Sequence, residues 1–149
     1  MDKDKSIHVL NMLIMINNDR IEGYETASKE TDENELKVLF AQFIATSEKC
    51  KQELVKQVSD LGGTPEDGTR VTGKFFRAWM DVKAALTNKD RKAILSSCEY
   101  GEDVAVKTYD KALADSLGIS SSAYQLIETH HMLIKNDHNR VNSLLEHLQ

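Results

Sequence analysis

The chain has 149 residues, 40% of them apolar and 29% charged, with a formal net charge of −5. That balance excludes an intrinsically disordered chain and a basic, phosphate-binding surface, so nucleic acid is not an expected partner. No apolar run reaches the roughly 18 residues a membrane-spanning helix needs, and Met1-Asp2-Lys3-Asp4-Lys5 lacks the apolar stretch of a secretory signal.

One proline and seven glycines are sparse punctuation, which points to long helices. In the first segment, about 3–30, Ile7, Leu10, Ile14, Asn17, Ile21, Tyr24 and Ser28 recur at spacings of three and four, drawing one stripe. Asp32 followed by Glu35 reads as a capping box that opens a second helix, about 33–62. Its stripe is Leu36, Phe40, Phe43, Ser47, Cys50, Leu54, Val58 and Leu61, and Gly62-Gly63 stops it. After the loop around Pro65 comes a shorter amphipathic helix, about 71–87, with Phe75, Phe76 and Trp79. A third long helix, about 90–117, shows Ile94, Cys98, Glu102 (or Gly101), Ala105, Tyr109 and Leu113. Ser120-Ser121-Ser122 caps a fourth, about 120–148, whose heptad runs Ile127, His131, Ile134, His138, Val141, Leu145 and Leu148. Four long helices with single stripes make an all-α, single-domain bundle over 1–149. Short loops make helices one and two, and three and four, antiparallel hairpins. The long connection between the hairpins fits an up-down-down-up order with one crossover.

Chemistry in such bundles sits at mid-height, on side chains from facing helices. Polar residues interrupt every stripe near that level: Asn17, Ser47 with Cys50, Cys98 with Glu102, and His131 with His138. On one reading these groups satisfy one another, Asn17 bonding Ser47 and a buried Glu102 taking a proton or a histidine partner. On the other they hold metal, since inward carboxylate and imidazole are ligands of di-iron bundles. A paired-iron site of that class takes a Glu from each of two helices and Glu-x-x-His from each of the others. Asn17 stands where one Glu belongs, Ser47-x-x-Cys50 replaces one motif, and Lys135-x-x-His138 replaces the other. What remains is a reduced site of Glu102 and His138, with Glu99 and His131 as helpers, for iron or manganese. His8, His130 and His147 are expected at the surface. Cys50 and Cys98 follow no metal or redox spacing and are expected as free thiols of a cytoplasmic protein.

Three stretches in order are distinctive: Leu61-Gly62-Gly63-x-Pro65-Glu66-Asp67, Trp79-Met80-Asp81-x-Lys83-Ala84-Ala85-Leu86-Thr87, and Cys98-Glu99-x-Gly101-Glu102-Asp103. With Gly23-Tyr24, His138 and Arg140-Val141 they resemble a bacterial four-helix-bundle family of unknown function, grouped with the ferritin-like superfamily. The resemblance implies a ferritin-like fold and no established activity. Its recurring Glu99, Glu102 and His138 match here, while Cys50 departs from the bulky apolar residue expected at its position. The expected function is a non-enzymatic structural, interaction or stress-related bundle without a complete di-iron site or a resident cofactor. The alternative is a metal-binding protein or oxidoreductase built on Glu102 and His138. A homodimer or a protein partner is expected through the region around Trp79, with no membrane role. A third reading places a small apolar ligand in the bundle core.

Overall fold

Apolar stripes at spacings of three and four require long helices, and the described residues hold four: α1 (Lys3–Glu30), α2 (Asn34–Asp60), α3 (Arg91–Ala114) and α4 (Ser121–Glu146). The structure is a computed structural model describing residues 3–66, 91–115 and 117–147. The expected crossover helix over 71–87, with Trp79, lies outside the described residues.

Local chemistry sets the helix ends. The residue flanking α2 is Glu33, which offers no side-chain cap, and its backbone N–H donates to Thr31 Oγ1 at 3.2 Å. At the other end of α2, Gly62 adopts φ +84°. Its N–H reaches Ser59 O while that of Gly63 reaches Val58 O, both at 3.0 Å, which satisfies two orphan carbonyls in a Schellman turn. A Cβ on Gly63 would stand 2.8 Å from Ile7 Cγ2, so this glycine lets the turn close on α1. Ser120 caps α4 as expected, its Oγ accepting from Ala123 N at 3.2 Å.

Cross-helix contacts give the topology. Arg91, opening α3, pairs with Glu33 and Glu35 at the start of α2. Lys5, near the start of α1, donates to Leu117 O and Asp115 beyond the end of α3. Gln57, late in α2, donates to Ser122 at the start of α4. Thus α1 and α4 run one way, α2 and α3 the other. Each hairpin packs most closely within itself, and α2 against α4 and α1 against α3 close the bundle.

The core is in two pieces. Near the α1–α2 turn, Tyr24, Leu36, Phe40, Phe43, Ile94, Leu95 and Val141 form one apolar cluster. Near the α3–α4 turn, Leu10, Leu13, Ile14, Leu54, Val58, Ile127 and Ile134 form the other. Between them on every helix lies a polar interruption: Arg20, Ser47, Glu102 and Asp137.

Candidate functional site

The centre of that polar layer is Arg20, only 1% exposed. Its place on α1 follows from the helical period, three residues after Asn17 and four before Tyr24, both fully buried. Its Nη1 donates to Ser47 Oγ on α2 at 2.5 Å. Its Nη2 donates to Glu102 Oε1 on α3 at 2.6 Å and to Asp137 Oδ2 on α4 at 3.2 Å. Each of the other three helices therefore supplies one oxygen to a single guanidinium.

Glu102 Oε1 accepts a second short bond, from the Tyr24 hydroxyl at 2.6 Å. The Tyr24 ring lies 5.8 Å from the guanidinium carbon and packs on Phe40 and Phe43. A companion pair sits toward the other core, where Asn17 Nδ2 donates to the Tyr109 hydroxyl at 2.8 Å. Asn17 and Tyr24 are seven residues apart on α1, as are Glu102 and Tyr109 on the antiparallel α3. Each polar residue thus bonds the tyrosine of the other helix.

Electrostatics lock these protonation states. Burial by itself would lower the Arg20 pKa, but the Glu102 charge, with Tyr24 and Asp137, overrides it and leaves it raised. Burial, then Glu102, hold the Tyr24 hydroxyl well above its ordinary range, so it stays a donor. Burial raises the Asp137 carboxyl, with Arg20 opposing and Glu102 adding to the rise. Two carboxylates face one cation here. Among the described residues, Glu102 Oε2 and Arg20 Nε are buried without a hydrogen-bond partner. Removing such charges from water costs several kcal/mol per ion, which only close pairing offsets.

The residues expected to hold metal do not converge. Glu102 is taken by Arg20 and Tyr24 rather than by a histidine. His138 is partly exposed, its Nε2 3.9 Å from Asp103 and its Nδ1 3.3 Å from Asn142 Nδ2. His131 pairs with Asp110 at 2.5 Å on the outer face, and Glu99 is half-buried. Among the described residues no three His, Cys, Asp or Glu side chains group to hold an ion. Ser47 accepts from Arg20, and Asn17 reaches Tyr109 rather than Ser47.

The inward face of α4 is Ile127, His130, Ile134 and Val141, with Asp137 alongside, so the expected stripe through His131 and His138 is one residue out. His130, expected at the surface, is fully buried, and its Nε2 lies 3.1 Å from Glu53 Oε1 on α2. Burial lowers its pKa, with Glu53 pulling it back up. Both thiols are free and buried. Burial pushes Cys50 up to about 12, and Cys98, beside Glu102, further. Neither is a nucleophile near neutral pH. On the outer flank, α1 and α3 border a cleft of about 520 Å³, floored by Val9, Met12, Leu13 and Val104 with Lys107 and Lys111 at its rim.

A paired-iron centre needs inward glutamates and two Glu-x-x-His motifs. The inward set at this height is Asn17, Arg20, Ser47, Cys50, Glu102 and Asp137, with a permanent cation in its midst. That set does not fit such a centre.

The family described as Domain of unknown function (DUF2383) matches residues 5–115. Among solved structures, a crystal structure of ferritin like, diiron-carboxylate proteins from Bacillus anthracis str. Ames is similar over 97% of this chain and 98% of that one. Its TM-score is 0.66 at 19% identity, which shows a shared ferritin-like fold. No curated protein matches the chain.

Proposed function

We propose that this chain, which belongs to the DUF2383 family, is a non-enzymatic ferritin-like bundle acting through partners or self-association, without a di-iron centre. The observation that carries this reading is Arg20, whose guanidinium takes the carboxylates at the height where bundles of this class bind metal. The similar structure is titled for diiron-carboxylate proteins, yet among the described residues only Glu102 of the glutamates such a site demands is on the inward face. The remaining reactive groups point the same way. The thiols are held protonated, and His130 and His131 are each bonded to a carboxylate.

The alternative, an iron or manganese protein using Glu102 and His138 with Glu99 and His131, needs Glu102 to leave Arg20. One measurement separates the two: metal content by inductively coupled plasma mass spectrometry, on untagged protein reconstituted with ferrous ion and desalted. The expected result is far less than one iron or manganese per chain and no oxygen consumption above buffer. Stoichiometric metal that is lost in Glu102→Gln would overturn the proposal. Light scattering of the same sample reads the self-association.

A further inference from the structure

We infer that Arg20 is a built-in substitute for a metal cation, and that removing its side chain turns the layer into a site for one hard divalent ion, held by Glu102 and Asp137 with Ser47 beside them. The inference rests on the reading above that the native chain takes no metal.

Four observations carry it. First, the guanidinium does the work of an ion, drawing one oxygen from each of three helices, Ser47 to Nη1 and the two carboxylates to Nη2. Second, the oxygens of Glu102 and Asp137 approach the same nitrogen, at 2.6 and 3.2 Å. Bound calcium keeps its ligands at about 2.3–2.6 Å and magnesium at about 2.0–2.1 Å, so an ion there needs only a small contraction. Third, one guanidinium faces two carboxylates, a charge count that a divalent ion matches better than a monovalent one. Fourth, Glu102 Oε2 is buried with no partner among the described residues, an acceptor already in place for a second bond to an ion. The donors are all oxygen, which selects magnesium, manganese or calcium over softer metals. The nearby Cys50 and Cys98 are held protonated by burial and do not compete.

The test uses Mn²⁺ as the probe, with the full chain as wild type, Arg20→Ala and Arg20→Ala/Glu102→Gln. Free Mn²⁺ is read by electron paramagnetic resonance after equilibrium dialysis, and Tm is followed against Mn²⁺ concentration. Arg20→Ala is expected to bind one Mn²⁺ per chain, at least about tenfold more tightly than wild type, with Tm rising as the logarithm of Mn²⁺. The double variant is expected to lose that gain. Arg20→His, a smaller side chain that is itself a ligand, serves as the second variant should the alanine form be poorly folded. Its helical circular dichroism should recover on adding Mn²⁺. Folded variants that bind Mn²⁺ no better than wild type overturn this inference alone. So do variants that stay unfolded in millimolar Mn²⁺, because the ion should replace the missing charge. Stoichiometric tight binding by wild type overturns the proposed function instead.

Discussion

Arg20→Met separates the charge of Arg20 from its bulk. Methionine fills much of the stem's volume but leaves Glu102, with a fully buried side chain, and Asp137, with 16% side-chain exposure, facing a thioether. Stripping one partner from a buried ion pair costs about 3–5 kcal/mol, because the other charge stays behind uncompensated. Each kcal/mol moves Tm by roughly 2–4 °C in a chain of this size, so a fall of roughly 6–20 °C is expected. The cost also depends on pH. A stranded buried carboxylate avoids its charge by keeping its proton, which raises its folded pKa above the unfolded value near 4. A raised folded pKa gives stability that is complete below the unfolded pKa and is lost as pH rises through the folded one. The deficit against wild type should therefore be smallest near pH 5 and grow toward pH 8, by up to about 1.4 kcal/mol per pH unit for each proton held. Urea unfolding followed by circular dichroism at pH 5, 6, 7 and 8 reads this from the midpoints, provided the slopes agree. A deficit under about 1 kcal/mol at pH 7, or one that shrinks as pH rises, would refute Arg20 as the cation that balances this layer.

Glu102→Gln should cost less, about 1.5–3 kcal/mol, because the amide oxygen still accepts from Arg20 and Tyr24 while Asp137 keeps the guanidinium balanced. Urea midpoints showing it equal to or worse than Arg20→Met would contradict the charge count. Asp137→Asn should stay within about 1 kcal/mol of wild type at pH 7, since burial already disfavours the charged carboxyl there. A larger loss on thermal unfolding would mean its bond to Arg20 is a main contributor. For His130, burial lowers the folded pKa below the unfolded value near 6.5, so its contribution is present above that value and is lost as pH falls through the folded pKa. His130→Leu should flatten the decline of Tm between pH 7 and 5, and an unchanged slope would show that other groups set it. The native protein should show no fast thiol toward 5,5′-dithiobis(2-nitrobenzoic acid) and both in urea, whereas one rapid native thiol would contradict the burial of Cys50 and Cys98.

The four long helices and their order were legible because period and punctuation are local properties. Gly62 and Ser120 sit where the chain pattern puts a stop and a start. The face of α4 was legible only to within one residue. A stripe through 127, 131, 134 and 138 and one through 127, 130, 134 and 137 share Ile127 and Ile134. Which one turns inward depends on how α4 lies against α2 and α3, which α4's own sequence does not encode. The structure chooses the second, burying His130 and bringing Asp137 to Arg20. Arg20 escaped for a related reason. Ile21 completes the apolar stripe beside it, and a long cationic side chain is by default a surface residue. The signal was present in Glu102: a buried carboxylate needs a cation, and Arg20 shares a face with Asn17 and Tyr24, which the stripe already placed inside.

A buried charge cluster is weak evidence for stability, since well-packed apolar residues of similar volume often do as well or better. Its geometry suits a different task. The two apolar cores are rich in Leu, Ile and Phe, and such surfaces tolerate sliding, because one apolar side chain replaces another with modest loss. The layer between them does not. Moving any helix by one turn, about 5.4 Å, strands Arg20, Ser47, Glu102 or Asp137 against hydrocarbon. The crossed bonds Asn17–Tyr109 and Tyr24–Glu102 break with it. A metal centre would pin four helices at one height in the same way, at the cost of depending on an ion. In this chain the side chains of Arg20, Ser47, Glu102 and Asp137 set that register themselves.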